Sequence, residues 1–348
     1  MSLQLCPFIV VWLSTLHLPP YEPDPMLSIL EYTALVLITA KPQGMVKLMH
    51  LHTGYMPYLG HQTYYRVVEP NAPDSHHKPL VLLHGGPGST HNYFEVLDDF
   101  ADKDHRTLVM YDQIGCGNSW DDSLKGRDDL WRNLSTWTNE LKSLRTYLKL
   151  DHCHLLGQSW GGMLELEYLL TLKPQGINSI ILSSTLASSP LWGKEHHRCL
   201  KYLSPQEQAA VMMADQTGNY DTEEFRAAEA HFMDLFCEGP LTPNSPECLR
   251  RPTRSGRESY LATEGDNEIT VTGIFKNWDV SDRLDEIREP ALVISGTDDL
   301  CTPLVAKQIY DGIKDSAWEL FEGCRHMCFV ENTPHYEEIL QTWLDAYD

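Results

Sequence analysis

The sequence predicts an α/β fold: a mostly parallel central sheet with helices on both faces and a helical lid inserted late in the chain. Three observations predict it. Short apolar runs, such as Pro79–Leu83 and Ile177–Leu182, do not alternate with polar residues, as expected of strands covered on both faces. Helical patterns separate these runs, and strand alternating with helix yields a parallel sheet. From Ser189 to about Ile274 strong buried strands cease and helical stretches take over, a long interruption that reads as an insertion between two strands.

Residues 1–44 form an N-terminal extension of uncertain status. Leu3–Leu18 is apolar, but no Lys or Arg precedes Lys41, and Pro7 interrupts the run. A secretion signal, a poorly ordered extension and a true start at Met45 are all compatible. The first core part spans 45–188. His61–Val68 reads as an early strand, Pro79–Leu83 and Arg106–Tyr111 as buried strands, and Leu134–Leu148 as an amphipathic helix. Cys153–Leu156 is the next strand, with a helix from Met163 and a further strand at Ile177–Leu182. The lid covers 189–277, with helices over Pro205–Asp215 and Thr222–Cys237. The second core part, 278–348, holds strands at Pro290–Gly296 and Ala317–Phe321 and helices at Val305–Ile313 and Pro334–Tyr347.

Bulk properties exclude several functions. The formal net charge of −22 repels nucleic acid, and no basic patch opposes it; a cationic or zwitterionic substrate is weakly favoured. Nine cysteines, an odd number without paired spacing, do not suggest a disulfide framework. Neither Cys-x-x-Cys nor His-Glu-x-x-His occurs, so neither a metal nor another cofactor is argued. A cytoplasmic location without stable membrane association is the expectation, with secretion left open by the apolar N-terminus. The oligomeric state is not legible.

The chemistry centres on Gly157-Gln158-Ser159-Trp160-Gly161, a G-x-S-x-G pattern. It lies between an apolar strand and a helix, the setting of a nucleophile elbow in the α/β-hydrolase fold. Small residues are needed there because the turn packs tightly against its neighbours. His84-Gly85-Gly86-Pro87-Gly88 follows a buried strand and would supply one oxyanion donor, the N–H of Gly86; the N–H of Trp160 would supply the other. The glycine-bearing turn after Asp112 lacks a phosphate-binding pattern and is expected to shape the wall of the site. An acid and a histidine then follow the last two strands, in the order of a serine–acid–histidine triad: Ser159, Asp298 and His326. Ser159 would attack, His326 would take its proton, and Asp298 would hold the imidazole tautomer. Asp298 is preferred to its neighbour Asp299 because it comes first after the strand. His335 and the histidines near 196 are the rivals of His326. Cys301, Cys324 and Cys328 read as small buried apolar residues beside the triad.

From about Gly54 onward the chain resembles the prolyl aminopeptidase (proline iminopeptidase) family of α/β-hydrolases. The resemblance rests on residues 84–88, 157–162 and Gly323-Cys324-Arg325-His326-Met327. A further block, from Asn267-Glu268 to Trp278-Asp279, is similar to the return from the lid in broader-specificity members such as tricorn-interacting aminopeptidase. The resemblance implies release of an N-terminal residue, proline or another apolar one, from short peptides or amino-acid amides through an acyl-enzyme. It also implies that Glu268 and Asp299 hold the substrate's free amine, since a buried ammonium needs carboxylate partners. Without the resemblance, Glu268 reads as a solvated lid residue and Asp299 as a helix N-cap. Ile114 stands where strict proline iminopeptidases usually carry arginine, which leaves a wider choice of first residue, or amidase action, equally compatible. Two other readings compete: a hydrolase acting on an ester, amide or lactam in a specialised biosynthetic pathway, and a binding protein that kept the scaffold without catalysis.

Overall fold

The computed structural model describes residues 32–38 and 47–348. The strands are β1 (Tyr32–Ile38), β2 (Lys47–Tyr58), β3 (His61–Glu69), β4 (Leu80–Leu83), β5 (Leu108–Tyr111), β6 (Cys153–Gln158), β7 (Ile177–Ser183), β8 (Ala291–Gly296) and β9 (Ser316–Phe321). They form one sheet in the order β1-β2-β3-β5-β4-β6-β7-β8-β9. The first four in that order pair antiparallel, and β5 to β9 pair parallel.

Strand alternation explains the continuous apolar runs. Val81 and Leu83 join the core on one face of the sheet with Val109, Tyr111 and Leu155. Leu80 and Leu82 join a second core on the other face with Leu108, Met110 and Leu156. Each such side chain fully removed from water contributes about 1.5–3 kcal/mol. Helices α1 (Ser135–Tyr147) and α2 (Trp160–Leu172) supply Trp137, Leu141, Leu144 and Leu164 to the first core. The C-terminal helix, Thr333–Tyr347, supplies Tyr336, Leu340 and Leu344 to the second, one turn apart on a single stripe.

Between β7 and β8 the described chain runs through helices α3 (Ser189–Cys199), α4 (Pro205–Thr217), α5 (Glu223–Phe236) and α6 (Arg257–Thr263). The sequence sets their ends. Ser204 and Glu207 form a reciprocal capping box on α4, and Gly218 closes it with φ 68°. Thr222 caps α5 by accepting from Phe225 N–H.

The elements read from the sequence are present, with ends that shift slightly. Two strands were not legible. β2 contains Gly54 and Pro57 and lacks a clean alternation, but it is paired along both edges, by β1 and β3. β1 lies within the segment read as an extension; the apolar run Leu3–Leu18 and Met45 lie outside the described residues. Among the described residues no helix is long and apolar enough to cross a membrane.

Chain order and spatial order diverge at β4. The chain leaves β4 for β5 on one side and then returns to place β6 on the other. Leu83 therefore lies beside Gly157 in the ladder, and the segments following β4 and β6 emerge side by side. A crevice at such a switch point is where open α/β sheets place ligands.

Candidate active site

Ser159 sits between β6 and α2 with φ 57° and ψ −123°. A non-glycine residue in that region costs about 1–3 kcal/mol and needs its surroundings to hold it. They do: Ser159 N–H donates to Ser183 O at 3.0 Å, and its carbonyl accepts from Thr185 Oγ1 at 2.6 Å and Gly162 N–H at 2.9 Å. Gly161 has no alternative, because a Cβ there would collide with the Leu83 carbonyl of the adjacent strand.

The loop after β4 runs beside this elbow. Gly86 has φ 109°, and a Cβ on it would meet the backbone nitrogens of Gly88 and Ser89. Trp160 is the first residue of α2, so its N–H finds no partner inside the helix. Gly86, Ser159, Trp160 and His326 line one cavity of about 190 Å³.

Two hydrogen-bond chains fix this geometry. Gln113 donates from Nε2 to His84 O at 2.9 Å and accepts from Trp160 Nε1 at 2.8 Å, tying the glycine loop to α2. His84 accepts from Gln113 N–H at its Nε2, 3.0 Å away, so Nδ1 carries the proton and donates to Gly85 O. Burial pushes the His84 imidazole down to about 4, which keeps it neutral. The second chain begins at Gly85 N–H, which donates to Tyr93 Oη at 2.5 Å; Tyr93 donates to Gln158 Oε1 at 2.9 Å. Gln158 Nε2 then donates to His326 O at 3.3 Å. The turn after Asp112 was read as wall, and Gln113 shows how it acts; the roles of Tyr93 and Gln158 had no sequence signal.

His326, 5% exposed, follows β9, and its Nδ1 lies 2.7 Å from Asp299 Oδ1. A carboxylate only accepts, so Nδ1 carries the proton and Nε2 is left as the basic nitrogen. The partner is thus Asp299 and not Asp298, which corrects the sequence assignment. The turn after β8 accounts for it. Thr297 and Asp298 are exposed, with Asp298 N–H bonded to Cys324 O, whereas Asp299 folds inward at 1% exposure. Its carboxylate accepts from Gly296 N–H at 3.2 Å and Cys301 N–H at 2.8 Å as well. With its oxygens so engaged, Asp299 does not line the cavity, and the expectation that it holds an amine is corrected too.

Glu268 does line the cavity, with Tyr260 Oη hydrogen-bonded to its Oε1 and its own N–H donating to Glu229 Oε1 at 2.8 Å. Burial pushes its carboxyl up, an effect opposed by Tyr260 and His326. Two more acids line the same space, Glu238 and Glu264, both missed in the sequence because no motif surrounds them. Burial pushes the Glu264 carboxyl up; Glu238 is exposed at its outer side, and the protein packed around its carboxyl raises it too. The remaining wall is mostly apolar: Met163, Leu186, Trp192, Met233, Leu300 and Met327.

The end of α5 is tied to both turns that carry Asp299 and His326. Leu300 N–H donates to Phe236 O at 2.9 Å, and His326 N–H to Cys237 O at 3.2 Å. Arg325 donates from Nη1 to Asp234 O at 2.9 Å and from Nε to Glu331 Oε1 at 2.7 Å. Cys237 lines the cavity, while Cys301, Cys324 and Cys328 are buried, as read.

Other expectations fare differently. His335 is away from the cavity, against Phe321 and Glu319, and His196 is buried with Nε2 on Leu300 O. Ile114 is 2% exposed in the core, with its N–H on the Glu140 carboxylate, and its side chain does not line the cavity. A larger cavity of about 690 Å³ lies elsewhere; ion pairs Arg66–Asp98 and Arg251–Glu95 line it, and Ser159 and His326 do not.

Comparison with known proteins agrees with this geometry. The family model described as alpha/beta hydrolase fold matches residues 78–333. A proline iminopeptidase of Clostridioides difficile is 52% identical over 300 residues, covering 86% of this chain and all of the relative. The proline iminopeptidase of Lactobacillus helveticus is 49% identical, also over 86% of this chain and all of the relative. The crystal structure of proline iminopeptidase from Mycobacterium smegmatis superposes with a TM-score of 0.75 at 29% identity, covering 85% of this chain and 98% of that one.

Proposed function

The chain belongs to the proline iminopeptidase family of α/β-hydrolases, and from that premise we propose that it is a serine aminopeptidase releasing N-terminal proline from short peptides through an acyl-enzyme. One observation carries the reading: Ser159 and His326 share a small cavity walled partly by apolar side chains and partly by the carboxyls of Glu238, Glu264 and Glu268. The apolar wall suits the pyrrolidine ring. Glu268 and Glu238 suit the charged imino nitrogen, which needs carboxylate partners once out of water. Such an anchor fixes the chain end beside the serine and explains removal of a single residue.

In this mechanism His326 Nε2 takes the proton of Ser159 Oγ as that oxygen attacks the scissile carbonyl. Asp299 holds the imidazole through Nδ1 and stabilises its charged form. The N–H groups of Gly86 and Trp160 receive the developing oxyanion. His326 then protonates the leaving amine, and water attacks the prolyl ester by the same relay. Residues 189–277 act as a lid that closes the amine end of the cavity.

The test is Glu268→Gln. Its kcat/KM on prolyl amides is expected to fall about 10- to 100-fold, the range for a hydrogen bond to a charged group. Simple esters without an amine should change little; equal loss on both would remove the amine-binding role. The pH dependence follows from the raised carboxyls. Their ionised forms bind the cation, and burial shifts ionisation to higher pH. KM for prolyl substrates is therefore expected to rise, as pH falls, before ordinary carboxylates protonate. KM for an amine-free ester, measured over the same range, should not show that rise.

A further inference from the structure

Glu264 has no place in the chemistry above. It lies at the C-terminal end of α6, is 7% exposed, and lines the cavity with Glu238 and Glu268. Its Oε2 is buried and has no hydrogen-bond partner among the described residues. An unpaired buried polar atom carries a desolvation cost, so a group that meets it upon substrate binding recovers that cost. Glu268 lines the same cavity, and its charge adds to burial in raising the Glu264 carboxyl.

The valence of the bound nitrogen gives this third acid a use. A protonated proline nitrogen has four substituents: Cα, ring Cδ and two hydrogens. A primary α-ammonium replaces Cδ with a third N–H. Two acceptors satisfy proline, whereas a primary amine in the same place needs three.

Resting on the aminopeptidase reading, we propose that Glu264 is the third acceptor, and that it extends the substrate class to peptides whose first residue bears a primary α-ammonium. With such a substrate the third N–H meets Glu264; with proline a ring carbon occupies that corner. Burial and the neighbouring Glu268 favour the neutral acid at Glu264. Its carbonyl oxygen then accepts the N–H without adding another negative charge to the site.

The experiment compares alanyl and N-methylalanyl amides with one common leaving group. The two differ at nitrogen by one N–H replaced with a methyl, and prolyl amide serves as reference. Wild type is expected to hydrolyse all three. In Glu264→Leu the ratio of kcat/KM for alanyl to that for N-methylalanyl should fall about tenfold, consistent with loss of one hydrogen bond to a charged group. Glu264→Gln keeps one carbonyl acceptor and should lower the ratio about threefold; it carries the comparison if the leucine variant does not fold. An unchanged ratio in a folded variant, or wild type that hydrolyses prolyl but not alanyl amide, overturns the proposal. Glu268→Gln in the same assay separates the two levels. If it discriminates amine-bearing from amine-free substrates while the Glu264 variants leave the ratio unchanged, only the third-acceptor inference falls. If it fails to discriminate, the amine-binding reading falls with it.

Discussion

Ser159→Ala is expected to lose at least about 10⁴-fold in kcat on prolyl amide while folding normally. The size follows from how a triad works. Serine, histidine and acid act as one unit, and removing the nucleophile leaves only the residual effect of binding and the oxyanion donors. Folding should survive because the elbow is held through its backbone: the bonds of Ser159 N–H to Ser183 and of its carbonyl to Thr185 and Gly162 do not involve the hydroxyl. Melting temperature and near-ultraviolet circular dichroism check the fold, and single-turnover kinetics check the loss. A fluorophosphonate should label wild type at Ser159 and not the variant. Near-native turnover by the variant, or an unlabelled wild type, would reject the serine mechanism and leave a binding protein on a hydrolase scaffold.

The second large effect separates two neighbouring acids. Asp299→Asn is expected to lose about 10³- to 10⁴-fold in kcat, because an amide can donate toward His326 Nδ1 and favour the wrong tautomer. Asp298→Asn should stay within about threefold of wild type, as expected of an exposed side chain away from the cavity. Measured together under identical conditions, the pair tests the correction directly. A large loss at 298 with little at 299 would restore the first assignment.

That pair also marks where sequence reading stops. Ser159 was legible because its motif, the strand before it and the helix after it must agree to form the elbow. His326 was legible from chain order and its place after the last strand. Between Asp298 and Asp299 the sequence offered only rank order, whereas the decision lies in which way a tight turn points each side chain. Glu238 and Glu264 were invisible for a related reason. They come from a helical insertion whose path over the sheet is set by tertiary packing, so their meeting with Glu268 has no spacing to announce it. Gln113 was seen only as part of a wall, because its value lies in bonds to two distant segments, at His84 and Trp160. Strands buried on both faces were the easiest part, since their composition alone reports two covered sides.

The backbone bonds from Phe236 and Cys237 to Leu300 and His326 carry a consequence for how this enzyme can change. The insertion and the turns that carry Asp299 and His326 are stitched together by main-chain atoms, which no substitution short of proline removes. Grafting the insertion from a relative with other preferences would therefore transplant more than preference: it would reset the alignment of the relay. New specificities in this scaffold should arise more readily by exchanging single acids within the existing insertion than by replacing it whole.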